Sequence, residues 1–505
     1  MLFLNAALVI ACSYRLFLAF QQSGYKKLML FSYNTVFFQL GLISAVLSVV
    51  AASVDIILLN KYVFYTTGAV IMFIAVIFIY LTYKNNYKKP LVFTRRAVRL
   101  IIVFCLLIIA YHLLYFTDIR CMVWAAYLFA PLLIKLSYFI LYPFEKLNNI
   151  RYIKKATLKL RQSDAIKIGI TGSYGKTSVK NILYHILSRK YNALMTPQSF
   201  NTPLGIARAV DDLKPETQIF IAEMGARRKK DIKELSEIIR PEIGIITGIN
   251  CQHLETFKSV DNISRTKFDL ISALSGRKLA VINADNQIVL KYAEERGINA
   301  IKVGSSDADL IISDVKSDAL GSSFGVVYKD NRIELKTRLL GAHNAINISL
   351  AIAVAVELDV PVKDIKAAVF DLAPVPHRQE LIKGMRGITI IDDTYNSNPD
   401  GARSALETLK SFPGRKVVLT PGLVELGKSG ADENRKLGNL IKQIADTVIL
   451  IKSDWIEYIS EGLWGYDGTI RIYNSLKDAT ADFHKLLNDH DTLLLLNDLP
   501  DSMGG

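Results

Sequence analysis

Apolar positions are unevenly spread along this chain. Five apolar stretches precede residue 145, at roughly 1–20, 28–58, 63–82, 98–117 and 122–143. Each is long enough for the about 20 helical residues that cross a bilayer, and soluble helices rarely run so far without a polar face. The pattern predicts an all-α transmembrane region of about five helices over 1–145. The first stretch has no basic leader and no small-residue cleavage site, so it reads as a span rather than a removed signal. After a basic connector, 146–163, the texture changes. Short β-rich runs at Ile166–Ile170, Gln218–Ala222, Ile243–Thr247 and Leu279–Asn283 alternate with helical patterns. That predicts a largely parallel sheet covered by helices over 164–373. A second α/β unit, 374–505, opens near Pro374, with candidate strands at Ile388–Ile391, Lys416–Thr420, Thr447–Ile451 and Thr492–Leu496.

Charge sharpens this division. The first 160 residues hold 17 Lys and Arg against three acids, Asp55, Asp118 and Glu145, and so carry the whole formal net charge of +14. A basic balance can signal nucleic acid, but these charges flank apolar runs, and membrane topology accounts for them. No nucleic-acid partner is expected. Lys26 and Lys27, then Lys84, Lys88, Lys89, Arg95, Arg96 and Arg99, then Lys146, Arg151, Lys154, Lys155 and Lys159 mark loops on one side, while the alternate loops carry only Lys61 and Arg120. The positive-inside rule then puts the N-terminus outside and everything after about 145 in the cytoplasm, where ATP is available. A multi-pass protein of the cytoplasmic membrane, in contact with bilayer lipid, is expected. Arg15 and Lys135 fall within predicted spans, where such side chains either snorkel, the more common case, or bind an anionic lipid group. Cys12, Cys105, Cys121 and Cys251 have no metal-knuckle or disulfide spacing.

The candidate chemistry begins where Ile166–Ile170 runs into Thr171-Gly172-Ser173-Tyr174-Gly175-Lys176-Thr177-Ser178, followed by a helical pattern to about Arg189. Two glycines allow a tight turn whose N–H groups and helix N-terminus face a phosphate. Lys176 brings a positive charge to the β- and γ-phosphates of ATP, and Thr177 a hydroxyl for Mg²⁺. Ile170 stands where the full phosphate-loop pattern has its first Gly. Downstream come Ala222-Glu223-Met224-Gly225 at a strand end, Gly248-Ile249-Asn250-Cys251-Gln252-His253, and Ile263-Ser264-Arg265-Thr266-Lys267-Phe268. A carboxylate at the C-terminal edge of a parallel sheet is placed to hold Mg²⁺ through oxygen. Taken singly, Glu223 reads as a solvated acid, His253 as a hydrogen-bonding histidine and Lys267 as a surface lysine.

In this order, and together with Asn201-Thr202-Pro203-Leu204-Gly205, Asn283-Ala284-Asp285-Asn286, Gly341-Ala342-His343-Asn344-Ala345-Ile346-Asn347, Pro374-Val375-Pro376-His377-Arg378-Gln379-Glu380 and Asp392-Asp393-Thr394-Tyr395-Asn396-Ser397-Asn398-Pro399, the motifs resemble the Mur ligases over about 164–505. The resemblance implies a P-loop ATPase-type central domain and a Rossmann-like C-terminal domain. It does not extend to the membrane region, which typical cytoplasmic members lack. It implies ATP bound by Gly172, Ser173, Tyr174, Gly175, Lys176, Thr177, Ser178, Asn344, Arg378 and Asp393, and Mg²⁺ held by Thr177, Glu223 and His253. Lys176, His253 and Lys267 are the implied catalytic residues, and Lys267 is a candidate for carbamylation, which turns a cation into an anion. Asn201, Thr202, Tyr395, Asn396 and Asn398 are implied to face the substrate. Read without the family, the Asn201–Gly205 segment is a Pro/Gly turn, Asn344 a helix cap, and the Asp and Asn before Pro399 turn formers.

The implied reaction is amide ligation. A carboxylate attacks the γ-phosphate, and an amine then displaces phosphate from the acyl phosphate. The expected substrates are a UDP-sugar peptide and an amino acid or dipeptide, in the leading form a UDP-muramoyl peptide and D-alanyl-D-alanine, with cell-wall synthesis proteins as partners. Poly-γ-glutamate or another cell-wall polymer is the alternative product, and an ATP-driven transporter or sensor the alternative class. Sparse polar residues in the spans argue against a solute path. Pro421-Gly422-Leu423-Val424 before Glu425-Leu426-Gly427, and Asn497-Asp498-Leu499-Pro500-Asp501, depart from the family pattern in the domain expected to receive the amine.

Overall fold

The computed structural model describes residues 2–22, 25, 43–50, 61–84, 91–116, 120–250, 254–329, 331–395, 398–424 and 426–497. The chain forms two compact units, Met1–Asn149 and Ile150–Asp498.

In the first unit, helices Leu2–Cys12, Tyr14–Gln22, Lys61–Lys84, Arg95–His112 and the leading part of Ala126–Gln162 pack through Val9, Phe17, Ile71, Phe104, Tyr127 and Ile134. A polar cluster lies among these apolar groups. The Tyr127 hydroxyl donates to Asn5 Oδ1 at 3.0 Å, and Asn5 Nδ2 lies 3.1 Å from His112 Nε2. The outward faces instead carry exposed Phe73, Val76, Leu106, Ile109 and Phe139. Among the described residues two helical stretches, Leu2–Gln21 and Val123–Gln162, are long and apolar enough to cross a membrane, and Tyr65–Tyr80 is a shorter apolar helix. Most of the expected second span, 28–58, lies outside the described residues.

The second unit holds two sheets. The first comprises β1 (Ile166–Thr171), β2 (Ala193–Met195), β3 (Ile219–Glu223), β4 (Ile243–Ile246), β5 (Leu279–Asn283), β6 (Ile301–Gly304), β7 (Leu310–Asp318), β8 (Gly321–Tyr328) and β9 (Asn331–Thr337), in the order β2-β3-β1-β4-β5-β6-β7-β8-β9. It is parallel from β2 to β7, and β8 and β9 add antiparallel to its edge. Central strands such as β3 are buried on every residue, as parallel strands covered on both faces must be. The helix His343–Glu357 is buried nearly all round, and its Ala351, Ile352 and Val354 share one core with Ile168, Ile221 and Ile245 of the strands.

The second sheet comprises β10 (Glu380–Lys383), β11 (Thr389–Asp393), β12 (Lys416–Thr420), β13 (Thr447–Ile451), β14 (Thr469–Tyr473) and β15 (Thr492–Leu496), ordered β10-β11-β15-β12-β13-β14. Only β10 runs antiparallel. Residues 150–162, expected as connector, are the end of the helix Ala126–Gln162 and belong to this unit. Ala156 and Leu160 bury against Ile206, Val210 and Leu213. Lys159 Nζ donates to the carbonyls of Val210 and Asp211 at 2.9 and 3.0 Å, and the Tyr152 hydroxyl to the Asp211 carboxylate.

Candidate active site

The phosphate loop is built by β1, four residues of turn, and the helix Lys176–Leu187. Gly175 sits at φ 77°, in the left-handed region at the helix N-terminus, where a Cβ is disfavoured. A Cβ at Gly172 would collide with Thr247 Oγ1, so the first glycine is needed for close approach. Ser173 N–H donates to the Gly248 carbonyl at 2.7 Å, and the Thr247 hydroxyl to the Tyr174 carbonyl. The end of β4 thereby braces the loop. Lys176 Nζ donates to the carbonyls of Gly172 (2.7 Å) and Ser173 (3.2 Å). Burial pushes its ammonium down to about 8, with Arg378 adding to the fall and Glu223 opposing it.

Register brings the acid to the loop. Ile170 of β1 pairs with Glu223 of β3, so the carboxylate emerges beside Lys176 at the carboxyl end of the sheet, the edge at which such sheets bind ligands. Glu223 is 1% exposed and has three side-chain donors. Thr177 Oγ1 lies 2.9 Å and Lys180 Nζ 3.3 Å from Oε2, and Asn201 Nδ2 lies 3.1 Å from Oε1. Lys267, on the helix Val260–Ser272, is also buried. Burial, and then the charge of Lys176, hold its pKa well below the usual lysine range. It makes no hydrogen bond or ion pair among the described residues. His253 and Asn396 lie outside the described residues, so the expected metal-site histidine and one expected substrate contact have no structural description.

A cavity of about 910 Å³ opens from this loop, lined by Gly175, Ser178, Asn344, Arg378, Asp393 and Tyr395 among others. That is room enough for a nucleotide. Arg378 reaches it from a turn whose flanking residues, His377 (φ 61°) and Gln379 (φ 49°), are both left-handed. Such non-glycine conformations cost on the order of 1 kcal/mol each. Here His377 Nδ1 to Asp392 Oδ2 (2.7 Å) and His377 N–H to Glu380 Oε2 (3.1 Å) hold the turn. The Arg378 guanidinium lies 4.9 Å from the centre of the Tyr395 ring. Burial pushes the Asp393 carboxyl up to about 7, although Arg378 pulls it down. Polar contacts among the described residues that join the portions carrying the two sheets include Ser199 Oγ with Tyr395 Oη (2.7 Å), Ser404 Oγ with His343 Nδ1 (2.6 Å), and Asn250 Nδ2 to Asp400 Oδ2 (3.2 Å).

Two expected substrate residues have structural work of their own. Thr202 Oγ1 caps the helix Pro203–Asp211 by accepting from Gly205 N–H, and Asn398 Oδ1 caps Pro399–Lys410 by accepting from Asp400 and Gly401 N–H. Asn344 donates to the Leu340 carbonyl at 2.7 Å. The sequence reading missed Asn347, which lines the cavity one turn after Asn344, and Lys180, one turn after Lys176. The i, i+3 and i, i+4 spacings that put each pair on one helix face were the available signal.

Residues 170–355 match the Mur ligase middle domain, and 377–497 the Mur ligase, glutamate ligase domain. The chain is 30% identical over 305 residues, 60% of its own length and 67% of the relative's, to the UDP-N-acetylmuramoyl-tripeptide–D-alanyl-D-alanine ligase of Buchnera aphidicola subsp. Acyrthosiphon pisum. The chain belongs to the Mur ligase family. A Mur ligase with the same printed activity, from Mycobacterium bovis, is 32% identical over 54% of this chain and 55% of its own. These matches thus span between 55% and 67% of the relatives' lengths. Among solved Mur ligases, MurF of Thermotoga maritima in complex with ADP superposes with a TM-score of 0.61 at 25% identity, covering 69% of this chain and 80% of that one.

Proposed function

We propose that this Mur ligase is an ATP-dependent, ADP-forming amide ligase that adds D-alanyl-D-alanine to a UDP-muramoyl peptide while held at the cytoplasmic membrane by its apolar helices. The observation that carries the reading is one nucleotide-sized cavity lined by the phosphate-loop residues Tyr174, Gly175 and Ser178 and also by Arg378, Asp393 and Tyr395. The printed activity of the similar ligases from Buchnera and Mycobacterium supplies the substrates.

The residues divide the work. Lys176 and Arg378 bring positive charge to the γ-phosphate from two sides, which favours the transition state of its transfer to a carboxylate. Thr177 and Glu223 supply the hard oxygen ligands that suit Mg²⁺, which when bound neutralises phosphate charge. The substrate carboxylate takes the phosphoryl group and ADP departs. The uncharged amine then attacks the acyl carbon, loses a proton, and phosphate leaves with the C–O bond. Asp393 and Asn344 face the nucleoside. Lys267 fits carbamylation because CO₂ adds only to an unprotonated amine, and its burial beside Lys176 disfavours the ammonium.

Membrane attachment is supported by the inverted polarity of the first unit, with Asn5, His112 and Tyr127 inside and large apolar side chains outside. Five spans with the N-terminus outside, and the boundaries near 145, 163 and 373, belong to the same proposal. In the deciding assay, full-length protein receives MgATP, UDP-muramoyl tripeptide and D-alanyl-D-alanine. Amide and ADP are expected in equal amounts, with a loss of about 100-fold or more in Lys176→Ala. ADP without amide, or a native rate in the variant, sinks the reading.

A further inference from the structure

Lys180 is not used by the reaction described above. Its side chain is wholly buried, at 0% exposure, on the helix that follows the phosphate loop. A lysine is rarely so enclosed, since burying an ammonium is costly unless partners replace its water. Lys180 has two such partners. Its Nζ lies 3.3 Å from Glu223 Oε2, and it donates to the carbonyl of Gln198. Gln198 has an exposed side chain and a left-handed backbone, φ 46°, a conformation that non-glycine residues hold only when their surroundings fix it.

The segment so fastened, residues 196–201, carries three groups of the candidate site. Thr196 Oγ1 accepts from Glu223 N–H at 3.1 Å, Ser199 Oγ meets the Tyr395 hydroxyl at 2.7 Å, and Asn201 Nδ2 donates to Glu223 Oε1. Tyr395 in turn packs under the Arg378 guanidinium. Lys176 and Lys180 stand four residues apart on one helix, so the element that grips phosphate also grips this segment.

We propose that Lys180 is a positioning residue that makes the order of the 196–201 segment, and through Ser199 the seating of Tyr395 and Arg378, depend on a nucleotide in the phosphate loop. This rests on the nucleotide reading of the site. The test is hydrogen–deuterium exchange of peptides covering 196–205 in the full chain, with and without MgATP, beside direct measurement of MgATP affinity. In the native chain MgATP slows exchange of this segment. In Lys180→Met the slowing disappears, while affinity for MgATP falls by no more than about tenfold. Persistence of the MgATP effect in the variant overturns the proposal, as does complete loss of MgATP binding, which makes Lys180 a phosphate-site residue instead. A native chain that binds no MgATP is a different result, because the nucleotide reading itself then fails. Should Lys180→Met not fold, Lys180→Gln, which removes the buried charge but keeps a polar end, is measured in its place. The MgATP effect on the segment must disappear there too, and its persistence overturns the proposal.

Discussion

Lys176 shows how desolvation prepares the proposed phosphate site before any phosphate arrives. Its half-buried ammonium sits on two loop carbonyls, and desolvation lowers its pKa to about 8. A polyphosphate beside it favours the protonated form and raises that pKa again. The sign is therefore proton uptake on binding. At pH 8 about half the free molecules lack the proton, so nucleotide binding should take up about half a proton at this residue. Calorimetry in two buffers of different ionisation enthalpy reads this directly, and the difference between native protein and Lys176→Met isolates it from any uptake at Asp393. Net proton release at pH 8 by the native chain, unchanged in the variant, contradicts the assignment. Loop, lysine and hydroxyl were legible from residues alone. The left-handed turn that aims Arg378 was not, because it depends on His377 finding Asp392 across the β10–β11 hairpin.

At the scale of elements, the sequence located strands wherever burial on both faces demanded an unbroken apolar run. Leu279–Asn283, Lys416–Thr420, Thr447–Ile451 and Thr492–Leu496 agree with the structure to the residue. The expected Gln218–Ala222 slips by one, to Ile219–Glu223, and that slip matters because it carries Glu223 into the sheet beside Ile170. The antiparallel strands β7 to β9 were missed. Their exposed face breaks the apolar run, although β9 alternates Ile333 and Leu335 inward with Arg332, Glu334 and Lys336 outward, a half-buried strand's signature. Helix starts offer a test of function against structure. Asn398→Ala should cost about 1 kcal/mol in urea denaturation through loss of the cap, while Asn398→Asp, which keeps the accepting oxygen, should stay near native. Equal stability of all three chains would leave Asn398 with no capping role.

For the whole molecule, the place where the chain can be cut is informative. Residues 150–162 pack on the catalytic unit through Ala156 and Leu160 and three polar contacts to Val210 and Asp211. A chain beginning at residue 150 should therefore fold and stay in solution without detergent. One beginning at 164 should be less stable by about 3 kcal/mol or more, from the apolar area uncovered on Ile206, Val210 and Leu213. Thermal unfolding of the two fragments decides it, and equal midpoints would show that the helix end contributes nothing.

Local pattern and short-range chemistry determined the apolar helices, the alternation of strands and helices, the phosphate loop, and which residue types could serve it, since each depends on neighbours within a few positions. The tertiary structure alone decided that Glu223 shares its two oxygens among Thr177, Lys180 and Asn201, that Arg378 lies against Tyr395, and that Lys267 is buried near Lys176. Those facts depend on strand register and on burial, and neither is written in the spacing of residues along one segment.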